Sequence, residues 1–268
     1  MPTVTVDLLV PVRHTYRCTG VGVPATAEHY QRMPVDFRGV TAVVLPGTGS
    51  DDDYVYRAFS RPLNGVGAAL LAPAPQPEHL IAGYLAALDD AARTGPVVVG
   101  GISIGGSVAV AWALAHPDRT LAVLAALPAW SGRPESAPAA HAARYTASQL
   151  RRDGLATTTK QMRASSPAWL ADELARSWRV QWPQLPDAME EAAAYIAPER
   201  SDLERLAAPL GIAAAIDDPI HPLQVGVDWV TAAPHAALRT VTLDEIGADP
   251  AALGAACLAA LAEVRDVS

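Results

Sequence analysis

The stretch Val97-Val98-Val99-Gly100-Gly101-Ile102-Ser103-Ile104-Gly105-Gly106-Ser107 constrains this chain more than any other. A short, apolar, β-branched run reads as a buried parallel strand. It ends in a serine flanked by glycines, and the Ala-rich segment from Val108 to Ala115 reads as a helix. A serine between a buried strand and a helix sits on a sharp turn with its side chain protruding. Gly101 and Gly105 suit that turn, because backbone segments there pass too close for a Cβ and glycine tolerates the unusual dihedrals. The helix N-terminus beneath the serine favours developing negative charge.

The rest of the chain must supply a sheet around that strand. Its 268 residues are 50% hydrophobic and 18% charged, enough apolar material for one large α/β domain or a core with an insertion. The formal net charge of −8 argues against nucleic acid or an anionic membrane as partner, since both favour a basic face. No apolar run reaches the roughly 18 residues of a membrane span. Met1 to Pro11 alternates apolar and polar residues and lacks a basic leader region, so it reads as a strand, not a signal peptide, and a cytoplasmic protein is expected. Cys18 and Cys257 stand alone, without metal-ligand spacing, and read as incidental or buried thiols.

Strands are expected at Val4–Val10, Tyr16–Val23, Val40–Leu45, Ala68–Ala72, Val97–Val99, Thr120–Leu127, Leu210–Ile216 and Leu238–Leu243. Helical patterns fall at Tyr54–Leu63, Glu78–Arg93, Val108–Ala115, Leu223–Thr231 and Pro250–Val264. The character changes at Pro128. From Ala129 to about Pro198 the chain reads as helical and rich in Trp and Arg, entered through a Pro/Ala/Ser-rich hinge at Arg133–Ala140. The expected organisation is a core of residues 1–128 and 199–268, with a helical cap at 129–198 inserted between two strands. The order of elements points to a mostly parallel sheet with helices on both faces.

Three motifs now carry a resemblance: Gly101-x-Ser103-x-Gly105, Pro46-Gly47-Thr48-Gly49 after the third strand, and Asp218-Pro219-Ile220-His221-Pro222 after a late one. Over nearly its whole length the chain resembles the α/β-hydrolase superfamily. The resemblance implies Ser103 as nucleophile, with backbone N–H groups of Ile104 and Thr48 as the oxyanion hole. Gly47, Gly49 and Trp130, at the start of the cap, are expected to contact substrate, and the substrate is expected to be a small molecule or a peptide. The other reading of the Pro46–Asp53 loop is a surface turn in which Ser50 and Asp51 cap a helix. The family's Asp-Pro-x-x-Pro pattern falls on Asp218 as the acid. Asp217 is the runner-up, and either could instead cap the helix before Leu223. No cofactor is expected, and the seven histidines offer no metal spacing.

The late histidine of the triad is missing. Where family members commonly carry Gly-His-Asp, this chain has Gly247-Ala248-Asp249 in a segment expected to be a loop, Leu243–Pro250. His235 precedes the last strand, at the wrong end for a base. His221, three residues after Asp218, is the best substitute, although the reading favoured for it is an ordinary residue of a Pro-rich turn. His141 lies in the cap, His116 at a helix end, and His14, His29 and His79 off the expected site face.

Three functions are open on these grounds. The favoured one is hydrolysis of an ester, thioester or amide. The second is non-hydrolytic chemistry, as implied by a resemblance to a triad-incomplete subgroup that includes a peptide epimerase of bottromycin-type biosynthesis. That resemblance lies in the Pro46–Asp52 loop, the Trp-bearing cap and the absent late histidine. The third is ligand binding without turnover.

Overall fold

The computed structural model describes residues 33–264. The expected strands Val4–Val10 and Tyr16–Val23, together with Cys18, His14 and His29, lie outside these residues. Six strands are described: β1 (Thr41–Leu45), β2 (Ala69–Leu71), β3 (Val97–Ile102), β4 (Thr120–Ala126), β5 (Leu210–Ala215) and β6 (Ala236–Val241). They form one sheet in the order β2-β1-β3-β4-β5-β6, and every pairing is parallel. Parallel strands need crossovers, and helices supply them: α1 (Asp52–Gly65), α2 (Leu80–Ala91), α3 (Ile104–Ala115) and α8 (Leu223–Ala232), while α9 (Leu243–Ala248) and α10 (Ala251–Leu261) follow the last described strand.

The strands are apolar at nearly every position because both sheet faces are covered. Alternate residues feed two separate cores. Val43, Leu45, Val97, Val99, Val123, Leu210 and Ile212 pack with Leu80, Tyr84, Leu88, Val108, Trp112 and Trp229 on one face. Ala42, Val44, Val98, Leu124 and Ala213 pack with Tyr54, Phe59, Leu253, Leu258 and Leu261 on the other. Cys257 is buried in this second core, and that burial pushes its thiol pKa up, as expected of an inert packing residue.

Between β4 and β5 the chain is helical: α4 (Pro138–Ser165), α5 (Ala168–Gln181), α6 (Leu185–Ala194) and the single turn α7 (Arg200–Leu203). α4 is interrupted at Gly154, whose φ of 77° no helix contains. Ala147, Leu150, Trp178, Leu185 and Met189 form a small core of this segment's own. Among the described residues no helix is long and apolar enough to cross a membrane.

The segment Leu243–Pro250 departs from expectation. It is largely helix α9, started by a reciprocal cap in which the Thr242 hydroxyl accepts from the Glu245 N–H at 3.2 Å and the Glu245 carboxylate accepts from the Thr242 N–H at 2.8 Å. Thr242-x-x-Glu245 is the spacing of a capping box, so the signal lay in the sequence.

The sheet order sets the position of the site. The chain runs outward from β1 to β2, then returns to place β3 on the other side of β1. Loops leaving the carboxyl ends of β1 and β3 therefore diverge and leave a crevice between them, the usual place for ligands in such sheets.

Candidate active site

Ser103 stands at the end of β3 as the N-cap residue of α3, with φ 54° and ψ −117°. A non-glycine residue held there costs about 1–3 kcal/mol and persists only where its surroundings impose it. Here they do. A Cβ at Gly105 would lie 2.5 Å from the Leu45 carbonyl oxygen, and one at Gly101 would overlap Gly105 itself, so β1, β3 and α3 converge at the turn. The Ser103 N–H donates to the Ala126 carbonyl at 2.9 Å, which pins the turn to β4. Leu127, just past that carbonyl, is a second non-glycine residue at positive φ (50°), its N–H donating to the Ala213 carbonyl at 2.7 Å. The sequence did not signal it, since the following Pro128 favours an extended conformation.

The β1 loop lies against the serine. A Cβ on Gly47 would come within 3.5 Å of the Ser103 Cβ. Asp51 caps α1 by accepting from the Tyr54 N–H at 3.0 Å, so the capping reading of this loop holds for Asp51. Among the described residues, neither the Thr48 N–H nor the Ile104 N–H has a hydrogen-bond partner. Gly49 faces the helical segment, where a Cβ would lie 2.9 Å from the Trp178 indole nitrogen and 3.1 Å from the Met189 methyl carbon.

The β5 loop brings the remaining groups. The Asp218 Oδ1 accepts from the Ile220 N–H at 2.8 Å and from the His221 N–H at 3.3 Å, an Asx turn that the fixed φ of Pro219 favours. That turn folds the His221 ring back onto its own acid. Nδ1 lies 2.7 Å from the Asp218 Oδ2, and Nε2 lies 3.0 Å from the Ser103 Oγ. His221 is therefore not the ordinary turn residue that sequence reasoning favoured. The turn's tightness decides this, because three residues of extended chain would have carried the ring away.

Burial pushes the Asp218 carboxyl up, but the hydrogen bond and charge of His221 and the two backbone N–H groups outweigh it, leaving its pKa below the ordinary value. An ionised Asp218 can only accept, so Nδ1 carries the ring proton and Nε2 is free to accept from the serine hydroxyl. Ser103 is 7% exposed, and the side chains of His221 and Asp218 are 18% and 8% exposed.

Asp217 is placed elsewhere. Its Oδ1 accepts from the Leu243 N–H at 2.9 Å, so it secures the start of α9; the helix at Leu223 is preceded by Pro222 and has no side-chain cap. Trp130 is buried in the first core, its indole N–H donating to the Tyr195 carbonyl at 3.3 Å, which makes it a packing residue. His116 closes α3 with Nδ1 3.0 Å from the Trp112 carbonyl, and His141 is exposed on α4. Among the described residues no cluster of three or more His, Cys, Asp or Glu is arranged to hold a metal ion.

Comparison with solved structures gives full-probability matches across most of the chain. An enol-lactonase from Burkholderia xenovorans LB400 superposes with a TM-score of 0.58, at 19% identity, over 76% of this chain and 83% of its own. A thermophilic esterase from Thermogutta terrifontis gives 0.57 at 18%, over 76% and 82%. MGS-M2, an α/β-hydrolase enzyme from a Medee basin deep-sea metagenome library, gives 0.61 at 12%, over 86% and 92%. The fold is that of the α/β-hydrolases. No protein-family model and no curated protein matches the chain.

Within that α/β-hydrolase fold, residues that sequence reasoning did not flag join the helical segment to the core. Arg176 of α5 grips Asp51 with two nitrogens, at 2.6 and 3.0 Å, and reaches Glu173 at 2.8 Å. Arg57 of α1 pairs with Glu173 as well. The Gln181 amide donates to the Ser50 carbonyl at 2.9 Å. Glu191 of α6 accepts from the Leu80 and Ile81 N–H groups at 2.9 and 3.1 Å, capping α2 from another element. Trp169 of α5 packs on Gly247 and stacks on Tyr54. No local spacing could have shown these pairs, since Asp51 and Arg176 are 125 residues apart. A surface hollow of about 380 Å³ between α3 and the turn before α7 holds none of the site residues.

Proposed function

We propose that this chain is a serine hydrolase of an ester, thioester or amide bond in a small metabolite or peptide. The carrying observation is the chain of contacts from Ser103 Oγ to His221 Nε2 and from His221 Nδ1 to Asp218. A serine hydroxyl attacks an acyl carbon only when a base takes its proton as the bond forms. His221 is within reach to do so, and Asp218 holds the ring in the tautomer that leaves Nε2 free and stabilises the imidazolium.

Negative charge then develops on the acyl oxygen. The unpartnered N–H groups of Thr48 and Ile104, on the two loops that meet at Ser103, are the donors for it, aided by the α3 N-terminus. His221 returns its proton to the leaving group, and water attacks the acyl-enzyme with His221 again as base. Glycines 47 and 49 let that loop lie close to both serine and cap. An ester is the natural first substrate to assay, since two of the structural neighbours are an esterase and an enol-lactonase. The epimerase alternative drew on the Pro46–Asp52 loop and the Trp-bearing cap as well as the missing late histidine; an imidazole on Ser103 from another loop removes the last of these grounds and supports the hydrolase reading over it and over binding alone.

The test is covalent labelling with an organophosphonate, read by peptide mass spectrometry. We expect modification at Ser103 alone, slowed about 10³-fold or more in His221→Ala. Wild-type protein that stays unlabelled at high excess overturns the reading, as does labelling that His221→Ala leaves at the wild-type rate.

A further inference from the structure

We propose that Gln181, seconded by Arg176, is a positioning residue for acyl transfer: from the helical segment it fixes the turn that carries the Thr48 oxyanion donor. This rests on the serine hydrolase reading above.

Thr48 lies between two anchorages. Upstream, Leu45 is paired with Gly101 in the sheet, beside the serine turn. Downstream, the chain is gathered into the turn Gly47-Thr48-Gly49-Ser50. The Ser50 N–H donates to the Gly47 carbonyl at 3.0 Å, and Gly49 alone of the four has a positive φ, 69°. This is a type II turn, in which the third residue takes the left-handed region. A closed turn moves as a unit, so the direction of the Thr48 N–H depends on where Ser50 is held.

What holds Ser50 comes from α5. The Ser50 carbonyl accepts from the Gln181 amide at 2.9 Å, and the same amide nitrogen donates to the Ser177 Oγ at 2.7 Å. Gln181 and Ser177 are both buried. An amide with both N–H groups engaged there cannot swing away without leaving the Ser50 carbonyl unpaired. One residue on, Arg176 holds the Asp51 carboxylate with two nitrogens and reaches Asp53 at 3.1 Å. Trp178 meets Gly49 by packing alone, its indole N–H having no acceptor among the described residues. The directional grip on the loop therefore belongs to Gln181 and Arg176.

Glu191 of α6 gives the contrast. It too joins the helical segment to the core, but through the Leu80 and Ile81 N–H groups of α2, a helix that carries no site residue. One attachment only docks the segment; the other docks it and places a donor. A donor displaced by about 1 Å from a developing oxyanion costs up to about 100-fold in rate.

The experiment measures hydrolysis of p-nitrophenyl acetate and inhibition by phenylboronic acid, whose boron takes the serine oxygen and presents a tetrahedral anion to the same donors. Gln181→Met keeps the length of the side chain but not its donor. In it kcat should fall about 10- to 100-fold with KM near the wild-type value, and the inhibition constant should rise by a similar factor. The pH midpoint of kcat/KM should not move, because the contacts among Asp218, His221 and Ser103 are untouched. Arg176→Ala should lower kcat as well, and Arg176→Lys should lower it less. Glu191→Ala should keep both kcat and the inhibition constant. Thermal unfolding checks each fold. If Gln181→Met does not fold, Gln181→Glu carries the test, since an ionised carboxylate can only accept. An unchanged kcat in the Gln181 variant, a loss confined to KM, or an equal loss in Glu191→Ala overturns the proposal and leaves the hydrolase reading standing. If the phosphonate labels Ser103 but the acetate is not hydrolysed, the labelling rate is read in the same variants in place of kcat. Wild-type protein that is neither labelled nor active removes the hydrolase reading, and the proposal with it.

Discussion

Asp218 shows how one side chain does two things at once. Its Oδ1 builds the turn and its Oδ2 holds His221. Its carboxyl is driven up by burial but pulled further down by the hydrogen bonds it accepts. A carboxyl whose folded pKa is depressed stabilises the fold above its unfolded pKa and loses that contribution as pH falls through the folded value. The wild type should therefore exceed Asp218→Asn in stability above about pH 4. Below that pH the gap should shrink. Urea midpoints of both proteins from pH 3 to pH 7 measure this, and a gap that widens on acidification contradicts it. Ser103, by contrast, was readable from its neighbours alone. Gly101 is required by its contact with Gly105 and Gly106 a few residues on, and that local steric need leaves a local mark in sequence, whereas Gly105 answers to the distant Leu45 and Pro46 carbonyls.

Elements were legible wherever their cause was local. The strands β1, β3, β4 and β5 are apolar at nearly every position because both faces are buried; the expected bounds of β1, β4 and β5 match to within a residue, and β3 runs three residues beyond its expected end at Val99. Helix α9 runs where a loop was expected, although Thr242 and Glu245 spell out its cap, because a six-residue helix shows too little apolar periodicity to stand out. His221, the best substitute base by sequence, was legible as a candidate but its place was not. Proximity to Ser103, 118 residues away, depends on the sheet order and not on any spacing. The start of α2 is a similar case. His79, its N-cap residue, makes no side-chain cap, and Glu191 of α6 does that work from outside. Glu191→Ala should cost about 1 kcal/mol and speed amide hydrogen exchange at Leu80 and Ile81. Exchange that stays at the wild-type rate at those two amides shows that water caps the helix equally well.

At the scale of the whole molecule, the helices between β4 and β5 are held to the sheet by polar contacts at separate points. In the Arg176–Asp51 pair the Asp51 side chain is only 12% exposed. Removing one partner of such a pair leaves the other desolvated. Arg176→Ala should loosen this segment before it loosens the sheet, so limited trypsin digestion should cut faster within residues 138–194 while fragments of the core persist. Uniform digestion, or no change in rate, counts against that order. These long-range attachments are the part of the molecule least visible in its sequence, since any arginine on α5 reads alike until the fold brings Asp51 beside it. The Asp218–His221 pair has the reverse property. Asp218 and His221 belong to a single turn, Asp218-Pro219-Ile220-His221, so their mutual geometry is a property of a tetrapeptide and the rest of the chain has only to aim it. Breathing of the carboxyl-terminal helices cannot separate them. The pair is a portable cassette, set before the serine by anchors at its base: the Ile216 N–H on the Val241 carbonyl and the Asp217 carboxylate on the Leu243 N–H.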